Sequence, residues 1–306
     1  MPRMNLSVVV PVYKGETFIE PLVVELIRML PTFADNYEII LVNDGSPDHS
    51  WQLIHNLTRE YPCVKGIRMM RNYGQHNATL CGVRAAQYEV VVTMDQDLQH
   101  PPSEIPQLLG KLQEGYDVVY GTPRKLPQSF WRNVMTASIK WILAKVIGLS
   151  SVHDVSAFRV FRTHLREAFV NFQSPSLILD VLLSWGTTRF TSVPVDIAPA
   201  ERSNYSFTML VRTATLILIG YSTLPLRFAS WIGFGMTLFG LGVFIYVLVV
   251  YFTAGSPPGF PFLASMIALV SGAQLFALGI FGEYLARMFD RSMDRPPYVI
   301  QEMTEP

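Results

Sequence analysis

Between Phe228 and Gly282 the chain carries no charged residue and no histidine. Few folds accept such a run. Ser256-Pro257-Pro258-Gly259 divides it into Phe228–Tyr251 and Phe260–Phe281, each long enough as a helix to cross about 30 Å of hydrocarbon. A buried hairpin of a soluble protein is the alternative, and the length argues against it. The remainder of the chain must then fold as a separate unit. The connecting loop has no Lys or Arg, whereas Arg202, Arg212 and Arg227 precede the first span and Arg287, Arg291 and Arg295 follow the second. The positive-inside rule puts both termini in the cytoplasm. The expected organisation is a cytoplasmic unit over 1–207, an interfacial segment over 208–227, two spans over 228–282 and a cytoplasmic tail over 283–306. Gly220 and Pro225 interrupt the interfacial segment. In the tail, Arg287 to Arg295 is expected to be helical up to Pro296-Pro297.

The chain is 50% hydrophobic and 16% charged, with 24 basic and 24 acidic residues. A neutral balance argues against nucleic acid as a partner. Cys63 and Cys81 are too few for a disulfide framework or a zinc site, and they suit a reducing compartment.

Before the spans, apolar strand-like runs alternate with helical spacing. The strands are expected at Leu6–Val12, Glu38–Val42, Val64–Met70, Val90–Met94, Tyr116–Tyr120 and Phe190–Val195. Helices are expected at Thr17–Leu30, Asp48–Glu60, Asn77–Gln87 and Ser103–Glu114, with Ser46 as N-cap and Pro47 opening the second. This alternation marks an α/β unit with a mostly parallel sheet. Trp131–Gly148 has helical apolar spacing with Arg132, Lys140 and Lys145 on it. It suits either a membrane interface or a core-facing helix.

Three strands run into polar residues at their carboxyl ends, where open α/β sheets bind ligands. They lead to Tyr13 and Glu16, to Asp44, and to Asp95, Asp97 and Gln99 within VVVTMDQDLQHPP. Two carboxylates and an amide oxygen at alternate positions can converge on a hard divalent cation that bridges nucleotide phosphates. An acidic turn capping the next helix is the alternative reading of the same residues. Neither G-x-G-x-x-G nor G-x-x-x-x-G-K-[ST] is present, so neither a Rossmann fingerprint nor a P-loop is indicated. His76 and His100 lie beside these motifs and suit helix-cap or surface roles.

PVYKGE, VNDGS, MDQDLQHPP, SAFR and RSNYS, followed by two spans ending in GEYLARMFD and RPPYV, resemble the polyprenyl-phosphate glycosyltransferases of glycosyltransferase family 2. RNYGQHNATLCG, EGYDVVYGT and GAQLFALGIFGEYLARMF are most similar to the undecaprenyl-phosphate 4-deoxy-4-formamido-L-arabinose transferases within it. The resemblance implies an α/β GT-A fold followed by two transmembrane helices in the plasma (inner) membrane. It implies inverting transfer of one sugar from a nucleotide-sugar donor to a polyprenyl phosphate acceptor, making a lipid-linked sugar for envelope glycan or lipid modification. A UDP-linked donor is expected by the same likeness, with GDP-mannose as the alternative.

By resemblance, Mg²⁺ or Mn²⁺ would sit on Asp95, Asp97 and Gln99. Pro11, Tyr13, Glu16 and Asp44 would hold the nucleoside. Asp97, Asp154, Arg124, Arg132 and Arg202 would serve the transfer, the arginines meeting phosphate, with Ser203 and Tyr205 in the phosphate-binding loop. A homo-oligomer, a tetramer in some members, is also implied. The chain departs from the family pattern at three places. Lys14 stands for Asn in P-x-Y-N-E, Ala157 for Gly in a shortened D-x-x-S-G-F-R, and Arg202 directly precedes Ser203 in a shortened R-x-x-G-x-S loop.

Three rivals share parts of this signature. A processive polysaccharide synthase would carry Q-x-x-R-W, which Gln128-Ser129-Phe130-Trp131-Arg132 does not match. A nucleotidyltransferase would carry a glycine-rich loop after the first strand. A non-catalytic membrane scaffold with a degenerate nucleotide domain would have no reason to keep Asp95, Asp97 and Gln99.

Overall fold

A computed structural model describes residues 3–124, 155–174, 177–196, 224–254 and 259–304. The chain divides into two units, Met1–Asn204 with Asp294–Pro306, and Tyr205–Met293.

The first unit is built on an eight-stranded sheet. In chain order it contains β1 (Met4–Val12), α1 (Ile19–Met29), β2 (Ala34–Asn43), α2 (Ser50–Glu60), β3 (Val64–Met69), α3 (Gln75–Ala85) and β4 (Val90–Thr93). It continues with α4 (Ile105–Gln113), β5 (Val118–Pro123), β6 (Arg159–Arg162), α5 (Leu179–Gly186), β7 (Phe190–Val195) and, at the end of the chain, β8 (Ile300–Met303). The strands lie in the order β7-β5-β6-β4-β1-β2-β3-β8.

The valine-rich runs form strands because both of their faces are covered. Val8 and Val10 of β1 join one core with Leu22 and Leu26 of α1, Ile54 and Leu57 of α2, and Leu108 and Leu112 of α4. Val9, with Ile40, Val42 and Val91, faces the other core under Ala78 and Cys81 of α3 and Leu182 and Leu183 of α5. Sandwiching between helical layers selects continuous apolar runs over alternation. It also demands small residues where a helix comes close. A Cβ on Gly82 of α3 would lie 2.3 Å from Val9 Cγ1.

Strands β1 to β4 run parallel, with β1 between β2 and β4. The chain therefore steps outward from β1 through β2 to β3 and then jumps to β4 on the other side of β1. The carboxyl ends of β1 and β4 flank this switch point, where doubly wound sheets open a crevice.

Two strands were not foreseen. β6 lies antiparallel between β4 and β5, and β8 lies antiparallel on β3, so the sheet is mixed although mostly parallel. β6 is only Arg-Val-Phe-Arg, and β8 is Ile-Gln-Glu-Met with all four residues exposed. Neither has a readable apolar pattern. Ser46 does not cap α2. That helix begins at Ser50, and the Ser46 hydroxyl instead accepts the Lys14 N–H at 3.0 Å.

The second unit contains α6 (Leu224–Ala254) and α7 (Phe260–Ser292). Stretches over Pro225–Thr253 and Leu269–Phe289 are long and apolar enough to cross a membrane. The first helix starts before Phe228 because Pro225 stands in its first turn, where a proline costs no hydrogen bond. The second runs past Phe281 through the mixed-charge stretch to Ser292. The expected Trp131–Gly148 helix, and most of the expected interfacial segment, lie outside the described residues.

Candidate active site

The carboxyl ends of β1, β2 and β4 form the walls of a cleft of about 350 Å³. Pro11, Tyr13, Asp44, Asp95 and Asp97 line it, together with Asn72, Gly74, Gln75 and Gln96. The switch point thus brings together residues that are 80 or more positions apart.

Each wall is held by side chain to backbone bonds. Asp44 is 2% exposed. Its carboxylate accepts the N–H groups of Tyr73 at 2.6 Å and Gly74 at 2.9 Å, which seats the loop between β3 and α3. Burial pushes the Asp44 carboxyl up, and these two bonds oppose the rise. Gly45 has φ +61°, and a Cβ there would lie 2.4 Å from the Arg71 carbonyl carbon, so only glycine lets the two loops meet.

Gln96, between the two aspartates, grips Tyr13 in the manner of a neighbouring strand. Its Oε1 accepts the Tyr13 N–H at 3.1 Å, and its Nε2 donates to the Tyr13 carbonyl at 2.9 Å. A Cβ on Gly15 would lie 2.4 Å from that Oε1.

Asp95 and Asp97 occupy the floor of the cleft. Burial, and then repulsion from Asp97, push the Asp95 carboxyl up to about 6, against the pull of Arg159 and the Gln75 amide. Gln75 Nε2 donates to Asp95 Oδ1. Among the described residues no three His, Cys, Asp or Glu side chains gather as a metal cage. Two carboxylates so close, one of them raised by burial and by the other's charge, nevertheless suit a hard cation whose remaining ligands are water and phosphate oxygens.

Other expected residues lie elsewhere. Gln99 donates its side-chain N–H to Asp97 Oδ2 at 2.6 Å, so it braces Asp97 and does not present a third oxygen beside it. Glu16 is not in the cleft lining. Lys14 adopts φ +53°, and after this turn the Glu16 carboxylate accepts the His49 N–H at 3.3 Å, at the start of α2. Arg124, at the end of β5, is half exposed and pairs with Asp196 at 3.3 Å. Asp154, Arg132, Arg202, Ser203 and Tyr205 lie outside the described residues. His76, in the first turn of α3, keeps an accessible surface, yet the surrounding protein desolvates it and lowers its pKa, against the pull of Asp180. His100 is neither cap nor surface: it is buried and stacked on Phe158, ring centroids 5.2 Å apart. Burial lowers its pKa, against the opposing pull of Asp97, and so favours the neutral imidazole.

Beneath the floor lies a buried network that residue types alone did not reveal. Arg159 of β6, 4% exposed, donates from Nε to Thr93 Oγ1 at 3.1 Å and pairs through Nη1 with Asp180 of α5. The Tyr120 hydroxyl donates to the same Asp180 oxygen at 2.9 Å. This network ties β4, β5, β6 and α5 together one residue before the Met94–Asp97 turn. Its sequence trace was the arginine of SAFR.

Residues 7–169 match the family model described as Glycosyl transferase family 2. The chain is 34% identical over 308 residues to the undecaprenyl-phosphate 4-deoxy-4-formamido-L-arabinose transferase of Proteus mirabilis (strain HI4320), covering 98% of this chain and 94% of that one. It is 32% identical over 307 residues to the protein of the same name from Shewanella sediminis (strain HAW-EB3), covering 97% and 92%. Among solved structures, glucosyl-3-phosphoglycerate synthase from Mycobacterium tuberculosis in complex with phosphoglyceric acid superposes with a TM-score of 0.50 at 18% identity, covering 71% of this chain and 80% of that one. That likeness is one of fold. Family match, near-full-length relatives and a cleft at the switch point of the sheet agree: this is a glycosyltransferase with a GT-A domain, and the chain belongs to glycosyltransferase family 2.

Proposed function

We propose that this protein transfers one sugar, with inversion, from a UDP-linked donor to a polyprenyl phosphate at the cytoplasmic face of a membrane. The observation that carries the reading is the meeting of Asp95, Asp97, Tyr13 and Asp44 at one switch-point cleft in a chain that also has two apolar helices. The names of the relatives, which specify undecaprenyl phosphate and a formamido-arabinose, support the acceptor and suggest the sugar.

In this reading Asp95 and Asp97 hold Mg²⁺ or Mn²⁺, which supplies charge neutralisation for the nucleoside diphosphate leaving group. Tyr13, Pro11 and the Arg71–Gln75 loop receive the nucleoside. Asp44 acts through that loop by fixing its N–H groups, and Gln99 and Gln75 hold the aspartates in place. The nucleophile is a phosphate monoester with a second pKa of about 6, by analogy with phosphorylated side chains. It is therefore anionic at neutral pH and needs no strong general base, which agrees with a buried neutral His100. Two anions must approach each other, and Arg124, Arg132 and Arg202 are the cations assigned to them. Breaking its pair with Asp196 would free Arg124 for this role.

The test is a transfer assay on detergent-purified protein with undecaprenyl phosphate, Mn²⁺ or Mg²⁺ and a panel of UDP- and GDP-sugars, followed by mass spectrometry of the lipid. A metal-dependent lipid-linked sugar from a UDP donor is expected. A product from GDP-mannose alone would overturn the donor assignment. Folded protein that binds no nucleotide would overturn the reading as a whole.

A further inference from the structure

The chain leaves the α/β unit at Asn204 and returns to it at Asp294. The returning segment is short, and it is placed against the outer side of one cleft wall. β8 pairs with β3 through Ile67–Met303, Arg68–Glu302 and Met69–Ile300. Gly66 donates its N–H to Thr304 Oγ1 at 2.8 Å, and Met70 donates its N–H to the Val299 carbonyl at 2.9 Å. The last of these bonds is made where the chain enters the Arg71–Gln75 loop.

Just before the strand, Tyr298 is anchored on α3. Its ring lies 5.7 Å from the Arg84 guanidinium. It packs on the same apolar core as Tyr73 of the loop. The segment thus grips both β3 and α3, and the chain between them is the wall that turns Asn72, Gly74 and Gln75 into the cleft. From the inner side, the same wall is fixed by Asp44. All four residues of β8 are exposed, so the strand adds little to the core, and its contribution is backbone pairing at this edge.

We infer that the C-terminal strand, anchored by Tyr298, is a positioning element of the donor cleft, holding from outside the wall that Asp44 holds from inside. The inference rests on the functional reading above only in naming a nucleotide-sugar as the cleft's ligand. Tyr298 touches no substrate in it and acts through the loop.

The test uses the full chain in detergent, as wild type, Tyr298→Ala, Tyr298→Phe and Thr304→Val. It measures amide hydrogen exchange and steady-state kinetics against each substrate. Tyr298→Ala is expected to speed exchange over residues 70–77 while β1 and β4 keep their protection. Its donor KM is expected to rise about tenfold, a loss of about 1.4 kcal/mol of binding, with kcat and acceptor KM within about twofold. Tyr298→Phe keeps the ring under Arg84 and should stay near wild type, while Thr304→Val should shift exchange in the same direction by less. Unchanged exchange over 70–77 together with an unchanged donor KM would overturn the inference. So would a uniform loss of protection with lower kcat and unchanged KM, because that reports a smaller folded fraction. If the wild type transferred no sugar, the functional reading would fail, and exchange over 70–77 would still decide whether the strand holds the wall.

Discussion

The two ends of the sheet use the same kinds of residue in opposite ways. At the amino ends of the parallel strands, charged groups are buried and satisfied. Glu38 of β2 accepts from Ser7 Oγ at 2.6 Å and the Gln87 N–H at 2.7 Å, and it pairs with Lys65 at 2.7 Å. Asp117, before β5, is bound by Arg189 and Thr187 and lies 3.6 Å from Arg162. At the carboxyl ends, two aspartates share a cleft where their side-chain partners are the amides of Gln75 and Gln99, and Arg159 acts on Asp95 without an ion pair to it. One of them is pushed up to about 6. Two of the three described non-glycine residues with positive φ, Lys14 and Leu98, are also there. A carboxylate at the first end stabilises the fold. At the second end it is kept reactive at the expense of stability, as expected of a site.

This contrast can be broken by substitution. The largest effect is expected from Asp97→Ala, which should lower transfer by about a thousandfold, roughly 4 kcal/mol of transition-state stabilisation, with little change in melting temperature. Loss of stability without loss of activity would reverse the assignment. Asp117→Ala should do the opposite, costing about 1–2 kcal/mol of stability through the lost bonds to Thr187 and the largely exposed Arg189, with KM for both substrates unchanged. Denaturant unfolding and initial rates on the same samples would decide it.

The pH dependence of the two ends should also differ in sign. Burial pushes the Asp117 carboxyl up, but the Thr187 hydroxyl and Arg189 outweigh it and hold the group below the usual range. Its stabilisation is therefore present above pH about 4 and lost as pH falls through the lower folded value. Asp95 is raised, so the metal-free protein gains stability as pH falls through about 6 and loses it on the way up. Asp95→Asn should accordingly stabilise the metal-free protein by about 1 kcal/mol at pH 8, and the gain should vanish near pH 4. A gain independent of pH would show that the carboxyl charge is not the cause. The smallest effect is expected from Gln96→Ala. Losing its two bonds to Tyr13 should raise donor KM by a few-fold, on the order of 1 kcal/mol, without changing metal affinity.

How far these features could be read from the sequence follows from the same division. β1, β2 and β4 were legible because burial on both faces demands unbroken apolar runs. Their polar exits located Tyr13, Asp44, Asp95 and Asp97. β6 and β8 were not legible, since a strand held by backbone pairing and an arginine network need not carry a period. Gln75 and Gln96 act through hydrogen bonds to residues 20 and 83 positions away, which no local spacing encodes. Glu16 was expected in the cleft from its place in the motif. The left-handed turn at Lys14 sends it to α2 instead. The apolar spans were visible from composition alone, while the return of the chain from the second span to the sheet edge was not.

The most direct test is a hydrogen-exchange footprint of UDP with Mn²⁺ on the full-length protein. Added protection is expected over residues 11–16, 44–48, 71–77 and 94–99, and none around Glu38 or Asp117. Protection at the amino ends of the strands, or none in the four carboxyl-end segments at saturating nucleotide, would contradict it.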